Sequence, residues 1–195
     1  MTAFDESYWQ NRWESSEIGW DIGYASTPLV EYFEQLKNKD LKILIPGCGN
    51  AYEGEYLIKN GFKNTYVIDI AAGAIQNLKN RFPDFPEENM ILGDFFEHFE
   101  QYDLIIEQTF FCALSPDLRR AYAEKMHSLL KANGKLVGLL FDIPLYKDHP
   151  PFGGNKAEYL PYFTDLFEII HFEPAKNSIK PREGTELFIE LKKKV

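Results

Sequence analysis

The chain has 195 residues, the size of one domain with a substantial core, and 45% hydrophobic with 15% aromatic residues describe a folded globule rather than a disordered chain. A formal net charge of -9 argues against binding nucleic acid through its phosphates, and no apolar run is long enough to span a membrane. Two cysteines, Cys48 and Cys112, lie far apart in apolar surroundings and read as reduced core thiols rather than a disulfide frame or a metal site. The first residues carry no basic stretch followed by an apolar core, so no secretory signal is expected and the location is read as cytoplasmic. Small-molecule partners, no membrane partner and a monomer are the corresponding expectations.

Residues 7–14 place Tyr8, Trp9 and Trp13 near helical spacing, until Gly19-Trp20-Asp21-Ile22-Gly23 breaks the pattern. Ser26-Thr27-Pro28, followed by Leu29, Val30, Tyr32, Phe33 and Leu36, reads as a capped amphipathic helix with proline at its permitted first turn. Strand 42–46, helix 51–60, strand 65–70 and helix 72–82 then alternate as βαβα units, which implies a parallel sheet with right-handed crossovers. A third strand is expected at 90–92. A linker containing Asp94-Phe95-Phe96 feeds a fourth at 102–107. A helix over 116–130 presents Leu118, Tyr122, Met126, Leu129 and Leu130 on one face, and Asn133-Gly134 is expected to stop it. A fifth strand at 136–141 leads into a long Pro/Gly-rich loop over 142–155, a final helix at 156–166, and two strands at 167–172 and 186–191. The Lys192-Lys193-Lys194 tail reads as a solvated terminus.

The pattern gives an α/β fold: a Rossmann-like, doubly wound sheet of about seven strands, mostly parallel, with an antiparallel edge strand. One domain over 1–195 is expected, with 1–38 as a helical segment laid against it. In such sheets ligands bind at the carboxyl ends of the central strands, where Gly47, Asp69, Asp94 and Gln108 all fall.

Chemistry is concentrated in Lys42-Ile43-Leu44-Ile45-Pro46-Gly47-Cys48-Gly49-Asn50 and in Val67-Ile68-Asp69-Ile70. The first run predicts a buried strand turning into a helix, where Gly47 and Gly49 let a ligand approach the backbone and the helix amides. Asp69, closing the next strand, is placed to accept hydrogen bonds from both hydroxyls of a ribose. The ligand is therefore read as adenosine-like. Tyr52 stands where a dinucleotide fingerprint places its third glycine, which disfavours NAD and FAD, and no Gly-Lys-Ser/Thr follows to make a P-loop. S-adenosylmethionine, with a ribose for Asp69 and a carboxylate in place of phosphates, passes both filters.

With these motifs in place, the chain resembles a class I S-adenosylmethionine-dependent methyltransferase of the thiopurine S-methyltransferase family, which also includes thiol and halide methyltransferases. The resemblance covers nearly the whole chain. It rests on Tyr8-Trp9-Gln10-Asn11-Arg12-Trp13, Gly19-Trp20-Asp21-Ile22-Gly23, Ile45-Pro46-Gly47-Cys48-Gly49, Phe110-Phe111-Cys112-Ala113-Leu114 and His149-Pro150-Pro151-Phe152. It implies that Trp9, Trp13 and Trp20 belong to a lid over the cofactor, with Trp20 nearest the transferred methyl group. An aromatic face attracts a sulfonium and excludes water. The resemblance also implies that Asp94 meets the adenine amino group, that Phe95 lies against the ring, and that the loop carrying Phe152 borders the acceptor. Gln108 departs from the tyrosine or arginine of the two family branches; its amide can bind the methionine carboxylate but brings neither a phenol nor a charge. Phe110 to Leu114 reads as core, and His149 is not assigned as a base.

The reaction implied is direct, in-line methyl transfer to a small soft nucleophile: a thiopurine, thiol, hydrosulfide or halide. Two other readings stay open at this point, an NAD-dependent oxidoreductase on the same sheet and a non-catalytic S-adenosylmethionine-binding sensor or scaffold.

Overall fold

The computed structural model describes residues 4–195. Helix α1 (Glu6–Glu14) starts where Asp5 accepts the Tyr8 N–H at 3.1 Å. Helix α2 (Thr27–Gln35) has proline in its first turn, but the Ser26 hydroxyl does not cap it. Ser26 is buried, and its N–H donates to Glu53 Oε1 at 2.9 Å, which ties the start of α2 to the next helix.

The alternating segment then runs β1 (Ile43–Pro46), α3 (Tyr52–Lys59), β2 (Thr65–Asp69), α4 (Ala72–Arg81), β3 (Met90–Leu92), β4 (Tyr102–Gln108), α5 (Arg119–Leu129), β5 (Leu130–Phe141), α6 (Lys156–Phe163), β6 (Phe167–Pro174) and β7 (Glu186–Lys193). The seven strands form one sheet in the order β3-β2-β1-β4-β5-β7-β6. Strands β3, β2, β1, β4 and β5 pair in parallel. Strand β7 runs antiparallel to both β5 and β6, so the antiparallel strand lies one in from the edge and β6 forms the edge itself.

Alternation of side chains along the strands divides the core into two layers. Leu44, Ile105, Leu136 and Leu140 face α5 and α6, meeting Tyr122, Met126, Tyr159 and Phe163. Ile43, Ile45, Val67, Leu104 and Ile106 face α2, α3 and α4, meeting Leu29, Phe33, Leu57 and Leu78. Strands covered on both faces read as continuous apolar runs, which is why β1 and β4 were legible.

The helix expected over 116–130 begins with a short 3-10 turn, Pro116–Leu118, and α5 stops at Leu129. Leu130 is already extended and pairs with Tyr102, while Leu104 pairs with Lys135, so β5 starts six residues before the expected 136 and bulges between those pairs. Asn133, with φ of 63°, sits inside this bulge rather than ending a helix. The lysine tail is not merely solvated. Lys193 Nζ donates to the Leu130 carbonyl at 2.6 Å and Lys194 Nζ to the Thr164 carbonyl at 2.7 Å, placing cations at the ends of α5 and α6.

Candidate functional site

The carboxyl ends of β1 and β4 open onto one cleft, and Asp69 at the end of β2 is hydrogen-bonded to its glycine loop. Gly47, Gly49, Asn50, Gln108 and Thr109 line the cleft, together with Trp20, Asp21 and Tyr24 from the N-terminal segment. Gly47, Gly49 and Ala51 all take left-handed backbone conformations, with φ of 55°, 52° and 52°. A side chain at Gly47 would collide with the Phe110 ring, since its Cβ would fall 2.2 Å from Cδ2. The loop thus needs glycine for both conformation and room. Helix α3 follows without a side-chain cap among the described residues, which leaves its first-turn amides for a polar ligand.

Asp69 closes β2 beneath this loop. Its Oδ2 accepts the Gly49 N–H at 2.9 Å and its Oδ1 accepts the Ala71 N–H at 2.9 Å. Burial pushes its pKa above the usual carboxylate value, while these backbone donors act in the other direction. Each oxygen keeps a second lone pair, so the carboxylate can fix the loop and still accept ribose hydroxyls. At the end of β4, Gln108 Oε1 is buried and has no hydrogen-bond partner among the described residues. An orphaned acceptor on a residue that lines the cleft can take a donor such as an ammonium group.

The three tryptophans form one cluster over the glycine loop. Trp20 meets Trp9 at 5.6 Å and Trp13 at 6.0 Å, both edge to face. A Cβ on Gly49 would lie 3.5 Å from Trp20 Nε1 and 4.0 Å from Trp13 Cζ2. Helix α1 is held there by Gln10, whose Oε1 accepts the Gly73 N–H of α4 at 2.9 Å. Asp21 anchors the Trp20 loop: Oδ1 accepts the Gly23 N–H at 2.7 Å, and Oδ2 accepts Asn50 Nδ2 at 2.7 Å and the Tyr52 hydroxyl at 3.3 Å. From the far end of the chain, Arg182 donates to the Trp20 carbonyl at 3.1 Å and pairs with Glu186 at 3.4 Å. Sequence reasoning missed Gln10, Asp21, Asn50 and Arg182 as organisers. For Asp21 a signal existed, because an Asp two residues before a glycine is the pattern of an Asx turn.

The other predicted residues lie differently. Asp94 is exposed, and its Oδ1 accepts the Phe96 N–H at 2.8 Å, capping a short 3-10 turn. Phe95 is buried, with its ring 5.2 Å from both Phe96 and Phe110 in the core beside Tyr122. Phe152 is also buried, 5.5 Å from Phe4, and donates its N–H to the Cys112 carbonyl at 2.7 Å. Neither ring lies on the open wall of the cleft. His149 is occupied within its own loop, stacked on Tyr146 at 4.0 Å with Nδ1 2.9 Å from the Pro150 carbonyl. Burial pushes the Cys48 thiol well up and the Cys112 thiol up to about 12, so both stay protonated near neutrality. Among the described residues no His/Cys/Asp/Glu group is arranged to hold a metal ion.

Residues 4–194 match the family model described as thiopurine S-methyltransferase. A probable thiol methyltransferase of Arabidopsis thaliana is 30% identical over 192 residues, covering 95% of this chain and 84% of that protein. A thiopurine S-methyltransferase of Vibrio cholerae is 24% identical over 172 residues, covering 79% of this chain and 78% of its own. In fold, the chain is similar to magnesium protoporphyrin IX methyltransferase from Synechocystis, solved with S-adenosylmethionine bound, at a TM-score of 0.75 with 14% identity and full coverage of both chains. The 1,6-didemethyltoxoflavin-N1-methyltransferase from Burkholderia thailandensis, solved with 1,6-didemethyltoxoflavin and S-adenosylhomocysteine, gives a TM-score of 0.75 at 14% identity, covering 97% of this chain and 87% of that one.

Proposed function

The chain belongs to the thiopurine S-methyltransferase family of S-adenosylmethionine-dependent methyltransferases, and from that premise we propose that it methylates a small sulfur or halide nucleophile by direct in-line displacement. The observation that carries the reading is the close approach of Trp13 and Trp20 to Gly49, whose N–H is held by Asp69, in a cleft that Trp20 lines together with Gln108. S-adenosylmethionine, when bound, supplies a methyl group on a cationic sulfur that a soft nucleophile can displace.

The chain's own residues then hold, orient and dehydrate. Asp69 receives the ribose hydroxyls on its free lone pairs, and Gly47, Gly49 and the α3 amides admit the polar end of the amino-acid moiety. Gln108 Oε1 accepts from its ammonium group. Asp94, through its uncommitted Oδ2, and the backbone of Phe95 border the adenine. Residues 4–38 act as the lid, with Trp9, Trp13 and Trp20 providing aromatic faces that favour the cation and exclude water. The acceptor approaches between Trp20 and the 142–155 loop that carries Phe152.

A thiolate, hydrosulfide or halide needs no general base, which agrees with the protonated thiols and with a histidine engaged in its own loop. Alignment of the reacting groups then supplies most of the acceleration, an effect worth roughly 7–11 kcal/mol in well-oriented systems. Family membership favours this reading over the NAD-dependent and sensor alternatives. A monomer working on small molecules in the cytoplasm remains the accompanying proposal, its monomeric part supported by the short β3 edge and by the charged residues along β6.

The test is formation of S-adenosylhomocysteine against a panel of thiols, hydrosulfide, thiocyanate, iodide and a thiopurine, with calorimetric binding of S-adenosylmethionine alongside. Acceptor-dependent turnover by at least one sulfur nucleophile is the expected result. Cofactor binding without turnover by any of them would overturn the proposed acceptor class.

A further inference from the structure

Glu107, next to Gln108 at the end of β4, is fully buried and has no direct place in the cleft. Its Oε1 accepts two backbone N–H groups, from Phe110 at 2.8 Å and Phe111 at 3.0 Å, and its Oε2 accepts the Tyr122 hydroxyl at 2.5 Å. The opposite residue in β5 is Gly138, where a Cβ would fall 2.3 Å from the Glu107 Cβ, so the sheet leaves room for this side chain with a glycine. Burying a carboxyl group costs stability even when it is hydrogen-bonded. Its three bonds all converge on one short turn and its support.

That turn touches both halves of the site. Gln108 and Thr109 line the cleft, with Thr109 held at φ of 58°, a left-handed conformation uncommon for threonine. Phe110 packs its ring against Gly47 of the cofactor loop. Three residues after Thr109, the Cys112 carbonyl accepts the Phe152 N–H of the 142–155 loop. Arg119 reinforces the connection, donating to the Gly153 carbonyl at 2.7 Å while its guanidinium lies 5.0 Å from the Phe111 ring centre.

We propose that Glu107 is a positioning residue: by fixing the 109–112 turn it sets the cofactor loop, through Phe110 and Gly47, in register with the acceptor loop, through Cys112 and Phe152. The inference rests on the reading of this cleft as the S-adenosylmethionine site. A leucine at 107 removes the acceptors and leaves the Phe110 and Phe111 amides unpaired, whereas a glutamine keeps an oxygen for both amides and an amide group for the Tyr122 oxygen.

The experiment compares wild type, Glu107→Leu and Glu107→Gln in two measurements: calorimetric affinity for S-adenosylmethionine, and hydrogen exchange of the peptide spanning 142–155 against peptides from β6 and β7. Glu107→Leu is expected to bind the cofactor about tenfold more weakly, and Glu107→Gln to recover to within about threefold of wild type. Exchange is expected to quicken in 142–155 of the leucine variant while β6 and β7 keep their protection, a pattern that general destabilisation does not produce. If Glu107→Leu does not fold, Tyr122→Phe replaces it, with the same two changes expected at smaller size. A leucine variant with wild-type affinity, or with exchange raised equally everywhere, overturns the inference alone. Failure of the wild type to bind S-adenosylmethionine overturns the site reading and the inference with it.

Discussion

Asp69 carries two demands on one carboxylate, since its oxygens already hold the Gly49 and Ala71 amides and are also asked to receive a ribose. Asp69→Ala therefore removes ligand contacts and loosens the loop that faces the ligand. Hydrogen bonds to charged groups contribute about 1.5–3 kcal/mol each, so cofactor affinity is expected to fall at least about tenfold. The two unpaired amides also lower the melting temperature. Calorimetry with a parallel melting curve checks this, and wild-type affinity in a folded Asp69→Ala protein would remove the residue from the site. Asp94 and Phe95 show the limit of residue-level reading. Their place after β3 was legible, yet whether a ring meets ligand or core depends on what packs against it, and Phe110 and Tyr122 pack against Phe95.

Helix α1 is an element that cannot stand alone. Nine residues are too few for a stable isolated helix, and none of its residues is fully buried. Its position depends on the Gln10 bond to Gly73, on Trp13 lying over Gly73, and on the tryptophan cluster. A Cβ at Gly73 would fall 2.7 Å from the Trp13 Cβ, so Gly73→Ala forces α1 away from α4. The same substitution improves the helix propensity of α4 by about 1 kcal/mol, which separates lid displacement from loss of fold. The expected outcome is weaker S-adenosylmethionine binding and faster tryptic cleavage at Arg12, with the melting temperature held or raised. Unchanged affinity and cleavage would show that α1 is not a lid.

At the scale of the whole molecule, three acids, the buried Glu53 and Glu107 and the partly buried Asp69, have pKa values raised chiefly by desolvation. Glu107 moves from 4.5 to about 7, restrained by the Tyr122 hydroxyl and the Phe111 and Phe110 amides. A group raised on folding binds its proton more tightly in the native state. Its stabilising contribution is fully present below pH 4.5 and is lost as pH rises through about 7. Paired, partly buried acids such as Asp103 and Glu55 have lowered values and work in the opposite direction, so the wild-type curve alone is a sum. The difference between Glu107→Gln and wild type isolates one group. It is expected to shift in favour of the glutamine variant by up to about 3 kcal/mol across that window, read from denaturant unfolding at a series of pH values. A difference that does not vary with pH would show that Glu107 does not titrate in this range.

The sequence by itself determined the alternation of strands and helices, the glycine loop with Asp69, and the family, because each is written in local runs: apolar stretches, turn residues and an acid twenty positions after a glycine. Local periodicity misjudged the start of β5, where pairing with Tyr102 draws Leu130 out of the helical pattern. Only the tertiary structure decided what holds the site together. Glu107 and Tyr122 are 15 residues apart, Asn50 and Asp21 are 29 apart, and Arg182 reaches the Trp20 carbonyl across 162 residues. No local spacing encodes such pairs, because a polar side chain far along the chain is indistinguishable from a solvated one until the packed sheet removes the water and leaves each donor facing its acceptor.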